Sequence, residues 1–230
     1  MRVTMVLIAV NIIVFIAQSV SAAMYCPMGM CTEDGIDPFT YSFSLVPDDA
    51  INEGRVYQFI TYMFLHGGSL HLFFNMFALL IFGNALERRI GSGLFLLVYL
   101  VSGVVGGIGF MVLIGPDTAA MGASGAIFGV IGAMVIIAPR MPVYLWGAVP
   151  LPMAVVGLGY ALIEILAFGS VDGIAHSAHL LGFVGGFAIA LTYKNVDTHL
   201  SAQINVMKAL AISFVFGLVV AFGFGFYFAS

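Results

Sequence analysis

Four side chains combine the types needed to cleave an amide with positions inside apolar stretches: Ser124, His179, His71 and Asn75. Amide hydrolysis requires a nucleophile, a base that takes its proton and returns it to the leaving amine, and donors for the oxyanion. Ser124 can supply the first. His179 can supply the second, because imidazole titrates near working pH. The N–H of Ser124 opens an apolar helical segment, where it lacks an intrahelical partner and is available to the oxyanion. Asn75 and His71, spaced i, i+4 on one helix face, add side-chain donors. Gly122 and Gly125 flank the serine and would let a substrate backbone come close. No strand precedes Gly122-Ala123-Ser124-Gly125 and the G-x-S-x-G elbow is absent, which excludes an α/β-hydrolase. Glu164 is the only acid well inside an apolar segment; it could orient a histidine, but a solvated or hydrogen-bonded carboxylate near the interface is the expected reading. The mechanism expected from these residues is therefore a Ser–His dyad, with no metal and no cofactor.

The elements that must hold these groups are membrane spans. Of the 230 residues, 62% are hydrophobic and 8% charged, and the mean hydropathy is +1.12. A soluble domain carries about 25% charged residues, so this chain has too little charge to cover a water-facing surface. The fold class expected is an all-α polytopic membrane protein. Apolar segments fall at 3–22, 69–86, 93–114, 122–139, 150–168, 174–193 and 205–228, each of roughly the 17 to 25 residues that a spanning helix needs. With the N-terminus cytoplasmic, Arg2, Arg88, Arg89, Arg140, Lys194 and Lys208 lie inside and only Arg55 lies outside, as the positive-inside rule requires. Glu33, Asp34, Asp37, Asp48, Asp49, Glu53, Asp117 and Asp172 fall outside. The expected location is the cell membrane, in multi-pass form.

The N-terminus admits a second reading, since Arg2, an apolar run and Ser21-Ala22-Ala23 have the form of a cleavable signal; a retained first helix is expected. In the long outer loop, 23–68, Cys26 and Cys31 could pair in an oxidising compartment or stay reduced. The run 56–65 could lie in the interface, and Ser69 is the expected cap of the second span.

Counted from the outer end of each span, His71 and Asn75 on the second, Ser124 on the fourth, and His176 and His179 on the sixth lie within roughly 10 Å of one depth. Intramembrane polar residues are costly, and a shared depth on three helices makes a joint site more economical than separate explanations. Gly125 and Gly129 on the fourth span, and Gly182 and Gly186 on the sixth, are each four apart. That spacing lets helix backbones approach closely enough for a serine to reach an imidazole on a neighbouring helix.

These residues resemble the rhomboid family of intramembrane serine proteases. The matching pieces are His71-Leu-Phe-Phe-Asn75, Leu86-Glu87-Arg88-Arg89-Ile90-Gly91, Gly122-Ala123-Ser124-Gly125-Ala-Ile-Phe-Gly129 and Ala178-His179-Leu-Leu-Gly182-Phe-Val-Gly-Gly186. They stand in the family's order and cover 3–193. The resemblance implies a core of six helices over 3–193 with a water-filled cavity open to the outer side, and one further C-terminal helix at 205–228. It implies Ser124 as nucleophile, His179 as base, and His71 and Asn75 lining the oxyanion hole. Gly182 and Gly186 would make the close contact under the histidine. The implied partners are single-span transmembrane protein substrates and the lipid bilayer, with no nucleic acid. Two departures stand out: Tyr57-Gln58 where the family often has Trp-Arg, and Phe128 where some members have Tyr. Phe128 can still stack on the His179 ring.

Two rival functions share these residues. A catalytically silent rhomboid-like protein would bind transmembrane clients, but the intact Ser124 and His179 argue against it. A transporter would need polar residues at several depths, whereas these cluster in the outer part.

Overall fold

The computed structural model describes residues 2–33, 35–113, 118–145, 148–168, 170 and 173–194. The seventh apolar segment at 205–228, with Lys208, lies outside the described residues, as do Asp34, Asp117 and Asp172. Most of the chain is helical.

The first helix, α1 (Val3–Tyr25), contains no Gly or Pro and ends in a 3-10 turn, Cys26–Met28, that carries Pro27. Its amphipathicity is inverted relative to a water-soluble helix. Thr4, Asn11, Gln18 and Ser21 are buried, while Ile13, Ile16 and Val20 are more than half exposed. A helix that turns polar groups inward and aliphatic groups outward is built for a lipid solvent. The inward groups also tie the helix down. The Glu87 carboxylate accepts from the N–H of Val3 (2.7 Å) and Thr4 (3.0 Å) and from the hydroxyls of Thr4 (2.6 Å) and Ser92 (2.6 Å). It thereby satisfies orphan donors at the start of α1. At the other end, the Gln18 amide donates to Thr40 Oγ1 (3.0 Å) and its oxygen accepts from the His66 N–H (3.0 Å). The first helix is thus tied into the fold at both ends.

The outer loop is compact. A disulfide joins Cys26 and Cys31. Three short helices follow, α2 (Pro38–Phe43), α3 (Pro47–Ile51) and α4 (Gln58–Thr61), then a 3-10 turn, Tyr62–Phe64. Asp37 caps α2 by accepting from the N–H groups of Phe39 and Thr40, both at 3.1 Å. Leu45, Val46, Met63 and Leu65 are at most 1% exposed. Within the stretch expected in the interface, 56–65, Tyr62, Met63 and Leu65 face protein while Val56, Tyr57 and Ile60 stay exposed.

A continuous rod then runs over 69–90: α5 (Ser69–Ala78), a π-helical turn (Leu79–Gly83) and α6 (Asn84–Ile90). Gly68, not Ser69, occupies the cap position, and no side chain caps the helix. Gly91, at φ +80°, reverses the chain into α7 (Ser92–Leu113). Next come α8 (Ser124–Ile137), a hairpin of β1 (Pro142–Leu145) and β2 (Val149–Pro152), then α9 (Met153–Leu166) and α10 (His176–Lys194). The strands pair antiparallel in the register Pro142 with Pro152 and Leu145 with Val149. This hairpin takes residues 150–152 from the expected fifth span, because Pro150 and Pro152 have no N–H for a helix ladder.

Segments at Val3–Met28, Ser69–Ile90 and Ser92–Met111 are long and apolar enough to cross a membrane, while α8 and α9 are shorter apolar helices. With α7 and α10 packed around it, α8 forms the core: Ala126, Val130, Ala133 and Met134 are fully enclosed. At 1.5 Å per residue a helix of 14 residues is about 21 Å long, short of the roughly 30 Å of hydrocarbon. The start of α8 lies inside the protein, since Ala120 and Ala123 just ahead of it are buried.

Candidate active site

The residues ahead of α8 are clamped before the helix begins. Leu45 and Ala120 exchange backbone hydrogen bonds at 2.9 and 3.0 Å, and the Gly122 N–H donates to the Tyr62 carbonyl at 2.9 Å. The Tyr62 hydroxyl in turn donates to the Gly103 carbonyl on α7 at 2.6 Å. Gly122 adopts φ +135°, which side chains resist. A Cβ there would stand 2.9 Å from His71 Nε2 and 3.6 Å from Ser124 Oγ. Gly122 is therefore a place where α5 and the start of α8 nearly touch, and Ser124 is the first residue of α8.

His179 reaches Ser124 from α10, with Nε2 2.7 Å from Oγ. Small residues make this possible. A Cβ on Gly182 would fall on the backbone carbonyl of Gly125, one on Gly186 on that of Gly129, and one on Gly129 on the Ser102 side chain. A Cβ on Gly125 would lie 3.4 Å from the Ala178 carbonyl, so Gly125 faces α10. The Phe128 ring, one turn along α8 from Ser124, lies parallel to the His179 ring, with centroids 4.5 Å apart and an interplanar angle of 6°. Tyr160 from α9 meets Phe128 edge-on.

The other side of the site comes from α5. Asn75 is 7% exposed, and its amide nitrogen has no hydrogen-bond partner among the described residues. A buried donor left unpaired costs about 1–3 kcal/mol, which makes it a candidate for a ligand that arrives later. Asn75 and Ser124 line one cavity of about 760 Å³ with Phe74, Phe128, Tyr144 and Tyr160. Its walls come from α5, the π turn, α8, the hairpin and α9, and are otherwise apolar. His71 Nδ1 accepts from the Gly67 N–H at 3.4 Å, and its ring meets that of His66 edge-on at 5.1 Å.

Of the two settings expected for Glu164, solvated or hydrogen-bonded, the structure shows the second. Glu164 is 6% exposed rather than solvated. Its Oε1 lies 3.1 Å from His179 Nδ1 and its Oε2 lies 2.6 Å from His176 Nδ1. The physical reason is the rotation of α9 about its axis, which turns Glu164 toward α10 while Leu162, Ile163 and Leu166 face outward. The available signal was the lone acid in an apolar helix, which is a functional candidate by default. His66, 2% exposed, is a second buried group beside the site that the spacing argument passed over. Glu164, His176 and His179 place ligand-type atoms within 4.8 Å of one another. A His2Glu set of this kind can hold zinc, although hydrogen bonding accounts for both approaches here.

Ser124, in contact with the His179 imidazole, and the buried Asn75 amide thus line one cavity of about 760 Å³ in a helical membrane protein. The rhomboid domain profile matches residues 53–196, more than half of the chain, and the protein belongs to the rhomboid family. It is 34% identical over 182 residues to Rhomboid protease GluP of Bacillus subtilis, covering 76% of this chain and 34% of GluP. It is 37% identical over 147 residues to Putative rhomboid protease YdcA of Bacillus subtilis, covering 61% of this chain and 68% of YdcA. Against Rhomboid-type serine protease 2 of Emericella nidulans it is 31% identical over 183 residues, covering 78% of this chain and 35% of the relative. The aligned region is thus about a third of the length of two of these relatives and two thirds of the other.

Proposed function

We propose that the protein is an intramembrane serine endopeptidase, with Ser124 as nucleophile and His179 as general base, acting on single-span transmembrane proteins. The observation that carries this reading is the 2.7 Å approach of His179 Nε2 to Ser124 Oγ, within the reach that proton transfer requires. In acylation Oγ attacks the scissile carbonyl carbon, and the hydroxyl proton passes to Nε2. The oxyanion is met by the N–H of Ser124 and by the Asn75 amide, with His71 beside them. His179 then protonates the leaving amine as the C–N bond breaks, and water repeats the sequence to release the acid.

The apolar walls of the cavity suit a helical segment arriving from lipid, and the short α8 supports a site below the outer surface. Six helices over 3–193 form the catalytic core in this reading, and the segment at 205–228 adds a seventh. The N-terminus is cytoplasmic and the site opens toward the outer face of the cell membrane. Purified protein in detergent should cleave a single-span model substrate. Ser124→Ala and His179→Ala should each abolish cleavage with the helical content unchanged; activity persisting in either would refute the assignment.

A further inference from the structure

Both oxygens of Glu164 are engaged by imidazole rings, and all three groups are at least nine-tenths buried: Glu164 at 6%, His176 at 7% and His179 at 9% exposure. A carboxylate buried this far is costly unless donors saturate it. An ionised carboxylate can only accept, so its contacts at 3.1 Å with His179 Nδ1 and 2.6 Å with His176 Nδ1 require a hydrogen on each Nδ1. For His179 this leaves Nε2 bare, facing the Ser124 hydroxyl.

Phe128 cannot make this choice. Stacking at 4.5 Å with a 6° tilt sets the plane of the imidazole, but rotation within that plane leaves the stack intact. Selecting which nitrogen faces Ser124 needs a polar partner on the opposite edge. Glu164 provides it. A carboxylate held by one histidine alone could still swing about its own axis. His176 lies three residues before His179 and so on the same face of α10, and it holds the second oxygen.

We infer that Glu164 is a positioning residue that locks His179 in the Nδ1–H tautomer, with His176 as the clamp that holds the carboxylate. The inference rests on Ser124 and His179 being nucleophile and base. When Ser124 gives its proton to Nε2, His179 becomes a cation with a hydrogen on both nitrogens. Glu164 stays ionised and faces that cation. On leaving-group protonation Nε2 is bare again and the carboxylate contact is unchanged.

A carboxylate that merely ties α9 to α10 would affect folding but not turnover per active site. Glu164→Gln keeps the shape and one acceptor but cannot receive from both rings. Measured per active site titrated with a serine-reactive probe, its kcat should fall by about 10²–10⁴-fold, the upper end being the loss seen when a triad carboxylate becomes an amide. KM should stay within about three-fold, and Glu164→Asp should recover part of the loss. A kcat within about three-fold of wild type would overturn the inference. The wild-type protein supplies a test that does not depend on a variant folding. In bilayers, ¹⁵N-histidine NMR should show Nδ1 protonated and Nε2 bare for His179, assigned by signal loss in His179→Ala; the opposite tautomer would overturn the inference. If Ser124→Ala fails to stop cleavage, the reading of the site itself falls, a result separate from either of these.

Discussion

At the scale of single residues, the pairing of Ser124 with His179 was legible because both are polar, both sit near one end of an apolar run, and their depths agree. The orientation of Glu164 was not. In a helix surrounded by lipid and protein, apolar side chains cover both faces, so periodicity does not mark the inward one. The structure adds that the Asn75 amide nitrogen is buried without a partner among the described residues, which suits a donor to an arriving oxyanion. Asn75→Ala should lower kcat by about 10²–10³-fold, the usual loss for one oxyanion donor, with little change in KM. Unchanged turnover in steady-state kinetics would remove Asn75 from the site. Gly122→Ala should be equally damaging by a different route, since its Cβ would press on His71 at 2.8 Å from a strained backbone.

At the scale of elements, the apolar runs predicted α1, the 69–90 rod and α7 with small errors at the ends. The hairpin between α8 and α9 was not foreseen, because its residues are as apolar as a span and only the prolines interrupt them. The glycine spacing on α8 and α10 anticipated a close approach, and both Gly182 and Gly186 abut backbone carbonyls of α8. Backbone cannot rotate aside as a side chain can. Gly186→Val should therefore force the helices apart, costing about 1–3 kcal/mol or more of stability, and lower the fraction of chains that react at Ser124. Thermal unfolding in detergent with no loss of midpoint would contradict this. Glu87→Ala should act through α1 instead. Removing an acceptor of four hydrogen bonds leaves buried donors unpaired, and a loss of about 3 kcal/mol is expected while kcat in the folded fraction is retained.

At the scale of the whole molecule, composition identified a membrane protein because 8% charge cannot clothe a soluble surface. What composition could not show is how firmly the outer loop is bound to the site. Leu45, Tyr62 and His66 connect that loop to α8, α7 and α1 through backbone and side-chain hydrogen bonds. Burial pushes the His66 imidazole down to about 3, with the adjacent His71 adding to the shift. The unfolded chain would titrate near 6.5. Below that pH the unfolded state binds a proton that the folded state refuses, so stability is complete above about 6.5 and declines as pH falls toward 3. The decline contributed by this group approaches about 1.4 kcal/mol per pH unit. His66→Phe should flatten the pH dependence of unfolding between pH 6 and 4 relative to wild type; an identical slope would show that His66 is not the group responsible.

The central claim is that Ser124 is made nucleophilic by His179 within the membrane domain. Reaction of the purified protein with a fluorophosphonate, followed by mass spectrometry of the modified peptide, tests it most directly. A single adduct on Ser124 in the wild type, lost in His179→Ala although that variant remains folded, is the predicted result. An unmodified Ser124 in protein that cleaves substrate, or equal labelling without His179, would contradict it.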